Sequence, residues 1–224
     1  MNVQINKSIL AVVFCWGLSL SALTQAGTYS GGGGTEANPY QISAVNDWME
    51  LIGTSADWKK HFILTADLDF GGVAITPVAR DTNPSSSGFQ GTAFTGVFDG
   101  GGHVLRNFVI DQPASDYVGL FGQVGSGGQV RNLGVEPLRV TGRLYVGGLC
   151  GYNKEGTITS CYATGAVNGN SGVGGLCGWN YGTITSCYAT GAVSGTGSYI
   201  LKLTDFRLRG VFPGGGSQVF HDCI

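Results

Sequence analysis

Gly147-Gly148-Leu149-Cys150-Gly151-Tyr152-Asn153 returns as Gly174-Gly175-Leu176-Cys177-Gly178-Trp179-Asn180. Thr157-Ile158-Thr159-Ser160-Cys161-Tyr162-Ala163-Thr164-Gly165-Ala166-Val167 returns without a change at residues 183–193. The offsets are 27 and 26 residues, and Lys154-Glu155 in the first copy stands against Tyr181 alone in the second, so a loop absorbs the difference. Internal repetition at such a period marks a stacked-repeat architecture.

Weaker copies lie upstream. Tyr117-Val118-Gly119-Leu120-Phe121-Gly122 matches Tyr145-Val146-Gly147-Gly148-Leu149-Cys150-Gly151, and the anchors Val118, Val146, Val173 and Ile200 are spaced 28, 27 and 27 residues apart. Residues 62–70 and 94–98 read as strands near the same period. Gly-Thr-Ile-Thr-Ser-Cys-Tyr cannot form the paired helices of an ankyrin or tetratricopeptide repeat, whereas β-branched and small residues suit short strands. The pattern therefore predicts an all-β chain, a parallel β-helix of about five coils, each of three strands and three turns. Like residues then lie over like, about 4.8 Å apart: Ile158 by Ile184, Val167 by Val193, Tyr162 by Tyr188, Asn153 by Asn180. Cys161, Ala163, Gly165 and Val167 share one phase and Ile158 the other, so the chain must bend near Ser160 for both sets to point inward. Open stacks need caps. Residues 44–52 read as a short N-terminal capping helix, with Ser43 as N-cap and Val45, Trp48, Met49 and Ile52 on one face.

Composition agrees. Glycine stands at 40 of 224 residues and charged residues at 12%, a balance that favours tight turns over exposed helices. A net charge of −2 supplies no basic footprint for nucleic acid and no polybasic patch for a membrane. Lys7, the apolar run at residues 9–23 and the triplet Thr24-Gln25-Ala26 read as a secretory signal peptide cleaved after Ala26, with no membrane span left afterwards. The divisions are then a signal peptide at 1–26, a flexible Gly-rich linker at 27–39, a β-helix at 40–200 with repeats at 147–169 and 174–195, and an off-pattern tail at 201–224.

These blocks resemble the GLUG-motif family, whose core reads roughly Gly-Gly-Leu-Val-Gly-x-Asn and then Gly-x-Ile-x-x-Cys-Tyr-Ala-Thr-Gly. Residues 147–153 with 156–165, and 174–180 with 182–191, carry the match; Cys150 and Cys177 stand where the family more often has Val. Asn38-Pro39-Tyr40-Gln41-Ile42, residues 61–69 and residues 94–100 also look like the segment that precedes such repeats. The resemblance spans about residues 38–200. It implies a right-handed β-helix in secreted and surface proteins of bacteria, among them adhesins and immunoglobulin A peptidases, and it implies no catalytic residue.

The residues themselves offer little chemistry. Residues 156–201 contain no Asp, Glu, Lys, Arg or His, which denies that stretch acid–base catalysis and hard-metal binding. Upstream, Asp67 and Asp69 would share a strand face, and paired carboxylates can cut glycosides; they serve equally to bind turn amides. Asp99-Gly100-Gly101-Gly102-His103 lacks the Lys and Ser/Thr of a phosphate loop and reads as a turn. Tyr152 with Trp179, or Tyr162 with Tyr188, could stack on sugar rings or only on each other between coils. Cys150, Cys161, Cys177, Cys187 and Cys223 contain no Cys-x-x-Cys pair, which argues against zinc; the stacked ones can be buried thiols or bridges. No cofactor and no metal are expected. In Lys202, Asp205, Arg207 and Arg209 charge returns where the repeat stops, followed by Pro213 and Gly214-Gly215-Gly216; the tail reads as the frameshifted or truncated end of a longer repeat protein.

The expected function is a non-catalytic, secreted or cell-surface module for adhesion or ligand binding, its partner a surface glycan or protein. A carbohydrate-active β-helix enzyme and a structural fragment of a larger surface protein are the alternatives.

Overall fold

The computed structural model describes residues 27–198, 200 and 201; residues 1–26, where a signal peptide is expected, and residues 202–224 of the tail, Cys223 among them, lie outside them. The chain is a parallel β-solenoid of about four turns, with the rung that opens at His61–Leu64 as a partial further coil. That rung is closed by isolated bridges, Ala74 to Val109 and Val78 to Phe121, before residues 80–93 leave the wall.

Each complete coil holds five short strands and not three. The best-formed runs through Cys150–Asn153, Thr157–Thr159, Tyr162–Ala163, Ala166–Gly169 and Ser171–Gly174. The extra corners arise where single residues turn left-handed. Ser160 and Ser186 take φ of 54° and 55°, with Asn132 at 53° in the same column, and this is the bend that lets Ile158 and Cys161 both point inward. Serine and asparagine tolerate that region because their short polar side chains can bond locally.

The register is the one the repeats predict. Ile158 pairs with Ile184, Val167 with Val193, Tyr162 with Tyr188 and Asn153 with Asn180. Val118, Val146, Val173 and Ile200 form one column. Interior columns shrink along the axis. One runs Tyr40, Phe62, Phe98, Val130, Ile158, Ile184; another runs Leu68, Leu105, Val135, Ala163, Ala189. The N-terminal half is accordingly filled by aromatic rings and the C-terminal half by aliphatic side chains and thiols.

The helix Val45–Gly53 covers the N-terminal end. Trp48 is fully buried and sets its indole edge-on to Phe98 and Phe121, with centroids 5.4 and 6.2 Å away. Two details differ from the sequence reading. The N-cap is Ala44, not Ser43; the Asp47 carboxylate does the capping by accepting the N–H groups of Ser43 and Ala44 at 2.8 and 3.0 Å. Met49 is 41% exposed and Leu51 takes its place inside, because the buried stripe centres on Trp48. Residues 27–39 also differ from a flexible linker. Gly31 bridges Gln41, Tyr29 lies 4.5 Å from the ring of Tyr40, and Asp57 accepts hydrogen bonds from the Gly27 N–H and the Tyr29 hydroxyl. No helix among the described residues is long and apolar enough to cross a membrane.

Cys150, Cys161, Cys177 and Cys187 are free thiols. Cys161 sits directly under Cys187, whose sulfur accepts its N–H at 3.4 Å, and both are buried. The hydrogen bond to Cys187 and burial both push the Cys161 thiol up. Replacing Cys161 and Cys187 by Ala is expected to cost ~1–2 kcal/mol each through small cavities. Urea unfolding checks this, and a loss several-fold larger, or a stoichiometric bridge seen by mass spectrometry, would contradict the free-thiol assignment.

Candidate functional site

Aromatic side chains gather on one outer wall. Tyr117 and Tyr145 precede the Val118–Val146 column and share a left-handed backbone, with φ of 57° and 55°. For a tyrosine this conformation costs roughly 1–2 kcal/mol, so packing must hold it. Gly172 occupies the same place one coil on, at φ 63°, and a Cβ there would meet the Tyr145 ring at 2.9 Å. The bare glycine gives that ring its room. On the next wall, Tyr152 and Trp179 stand one above the other.

The two columns interleave. Tyr145 lies 5.2 Å from Tyr117, 5.9 Å from Tyr152 and 5.6 Å from Trp179. Tyr181 adds an edge contact to Tyr152 at 6.1 Å and a tilted one to Trp179 at 6.3 Å. Phe89, from the excursion at residues 80–93, closes the other end against Tyr117 at 5.3 Å. The result is a strip spanning several coils. Tyr117 is its buried floor, Tyr145, Tyr152 and Trp179 are half-buried, and Tyr181 is 45% exposed. Burial, Tyr145 and then Asp116 and Asp81 push the Tyr117 phenol up to about 12; burial first, then Tyr181, Tyr145 and Glu155, also raises Tyr152. Tyr117 and Tyr152 therefore stay neutral phenols.

Tyr162 and Tyr188 lie elsewhere. They stack nearly flat, 5.2 Å apart at 8°, on the wall that holds Gly134, above which the Tyr162 ring passes. The Tyr162 hydroxyl donates to Glu136 at 2.9 Å. The structure thus joins Tyr152 and Trp179 into one surface and gives Tyr162 and Tyr188 to a separate coil-to-coil stack. Sequence reasoning missed Tyr117, Tyr145, Tyr181 and Phe89. The signal for two of them was present, since Tyr117 and Tyr145 open matching repeat blocks; a phase of strict alternation hides residues whose backbone is left-handed.

The acids are tied into the wall. Asp67 accepts from the Val104 N–H at 3.1 Å, His103 Nδ1 at 3.1 Å and Arg106 at 2.6 Å. Asp69 accepts from the Gly71 N–H and the Asn107 amide. Asp99 accepts from the Gly101 N–H, Asn132 and Arg131. The Val104 and Gly71 amides lead in holding Asp67 and Asp69 below the usual carboxylate range. Burial works against Asp99, but the Gly101 N–H, Asn132 and Arg131 outweigh it and its pKa too is lowered. Groups with depressed folded pKa values stabilise fully above the unfolded value of about 3.9 and lose that contribution as pH falls through the folded values. The melting temperature is expected to fall below about pH 4, and Asp99→Asn to flatten that fall; an unchanged acid limb would contradict the assignment. Among the described residues no three His, Cys, Asp or Glu side chains gather as a metal site.

The GLUG motif matches the chain twice, over residues 142–168 and 169–194. Halomucin from Haloquadratum walsbyi is 33% identical over 151 residues, which is 63% of this chain and 2% of halomucin. A "Putative Gly-rich membrane protein" from Evansella cellulosilytica is 32% identical over 110 residues, 47% of this chain and 12% of that protein. The crystal structure of a putative immunoglobulin A1 protease from Bacteroides ovatus superposes with a TM-score of 0.55 at 27% identity, over 73% of this chain and 50% of that one. The chain therefore spans a small fraction of these curated relatives and half of the solved structure.

Proposed function

We propose that this chain, a parallel β-solenoid carrying two GLUG motifs, is a surface-displayed module that binds a ligand and catalyses nothing. The aromatic strip carries this reading. A protein surface seldom sets several large rings side by side without a partner for them, and here a left-handed backbone and a bare glycine hold them there. The names of the relatives, a halomucin and a Gly-rich membrane protein, support display outside the cell. Against catalysis stands the engagement of Asp67, Asp69 and Asp99 with backbone amides and basic or amide side chains, which leaves them poor proton shuttles.

Beads coated with the purified chain are expected to adhere to at least one of a set of immobilised polysaccharides and extracellular matrix proteins. A Tyr152→Ala/Trp179→Ala chain should lose that adherence, Tyr188→Ala should keep it, and no polysaccharide should shorten. Adherence to none of these surfaces, or adherence indifferent to the strip, would sink the reading.

A further inference from the structure

We infer that the strip takes an uncharged polysaccharide, laid along the solenoid axis with the C–H faces of successive sugar rings on Tyr152 and Trp179 and with Tyr145 flanking both. The inference rests on the binding role just proposed and specifies its ligand. Three observations carry it.

The first is direction. Tyr117 and Tyr145 are neighbours in one column and Tyr152 and Trp179 in the next, each pair one coil step of about 4.8 Å, so the rings run along the axis over successive coils. A surface that repeats along a line suits a ligand that repeats along a line. A folded protein partner would favour a central anchor in a pocket with a polar rim.

The second is the polar edge of the strip. Among the described residues, the hydroxyls of Tyr145, Tyr152 and Tyr181 make no hydrogen bond to the protein, whereas that of Tyr162 is committed to Glu136. Sugar rings present an apolar C–H face bordered by hydroxyls. Phenols that offer a ring face and an unengaged hydroxyl match both parts. A lipid or an aliphatic helix would use the faces and leave the hydroxyls unanswered.

The third is charge. No charged side chain belongs to the strip. Asp81 and Asp116 lie near Tyr117, and Glu155 follows Tyr152 in the turn. Of the nearby cations, Arg143 is held by both Asp116 oxygens at 2.8 and 2.9 Å and by the Pro84 carbonyl, and Lys154 is an exposed neighbour of Glu155. With Arg80 exposed beside Asp81, these three carboxylates are matched by three cations, so the rim of the strip is close to neutral and offers a charged polysaccharide no field of opposite sign. The rings also hold one another in place, so few rotamers are lost when a ligand arrives.

The test is affinity electrophoresis and calorimetry of the whole chain against galactomannan, xyloglucan, laminarin and chitin hexamer, with alginate and polygalacturonate as acidic counterparts. At least one uncharged polymer is expected to bind. Trp179→Leu and Tyr145→Gly should each weaken it about tenfold or more. Tyr145→Gly copies the residue that stands at Gly172, and relief of its left-handed backbone offsets the ring contacts given up; the melting temperature, read beside the binding curve, separates lost binding from misfolding. Tyr152→Leu, which keeps apolar volume but removes the ring, is the second check. Binding to the acidic polymers alone, binding to no polysaccharide, or uncharged binding untouched by all three variants would overturn the inference. If beads still adhere to matrix proteins through the strip while every uncharged polysaccharide fails, the ligand class is wrong and the binding role stands; if nothing adheres, both fall.

Discussion

Gly151→Ala is expected to destabilise the chain by about 3 kcal/mol and to send much of it into the insoluble fraction, although the change adds one methyl group. Gly122, Gly151 and Gly178 form a column within the wall that bears Tyr152 and Trp179. A Cβ on Gly151 would lie 2.5 Å from the Tyr117 carbonyl carbon and 2.6 Å from the Val118 nitrogen. On Gly178 it would lie 2.4 Å from the Val146 nitrogen and 2.5 Å from the Tyr145 carbonyl carbon. The atoms in the way are backbone, so no rotamer change relieves the contact. The same closeness seats the left-handed turns at Tyr117 and Tyr145, so the substitution should disturb the aromatic strip together with the fold. Gly127→Ala is the control: a Cβ there meets nothing within 4 Å, and only its φ of 79° opposes the change. Denaturant midpoints of the two variants decide the matter. If Gly151→Ala unfolds no more easily than Gly127→Ala, close approach is not what the column of glycines is for.

Trp48→Ala is expected to cost about 3–5 kcal/mol, the range for removing a large buried ring. The fully buried indole packs edge-on against Phe98 and Phe121, so its removal leaves a cavity against both rings. Its loss also loosens the helix over the first strands, whose open edges then invite pairing with other chains. A lower urea midpoint should therefore come with association in light scattering. Met49→Ala, one residue on and 41% exposed, should change stability by no more than about 0.5 kcal/mol. Equal effects from the two would mean that the helix is an appendage and not a lid.

Much of the architecture was legible because stacking puts identical residues in contact. Exact copies such as residues 157–167 and 183–193 define a register with no further information, and Ile158, Tyr162 and Val167 fall where their copies require. The five strands per coil were not legible. A corner made by Ser160 or Ser186 looks in sequence like the polar residue of an ordinary strand, since only its φ distinguishes it. The lead-in at residues 27–39 misled for a related reason: its glycines suggest freedom, while the Tyr29 ring packs on Tyr40 and Phe62 of the first strands and its hydroxyl bonds Asp57, 28 residues away. The strip was half visible. Tyr152 and Trp179 announce themselves as aligned aromatics, but Tyr145 reaches them from the neighbouring wall, and no spacing along one strand foretells a meeting across a corner.

The coil-to-coil register has a consequence for how long such a chain can grow. Cross-coil contacts such as Cys161 with Cys187 and Asn153 with Asn180 close loops of 26 and 27 residues. A further coil would close another loop of about that size, so the entropy of loop closure would be incurred in equal small steps and never as one long-range pairing. Mean contact separation would stay fixed while total length rose, and relative contact order would fall with every coil added. Elongation by repeat duplication would then enlarge the displayed surface without raising the barrier that each new segment must cross to fold.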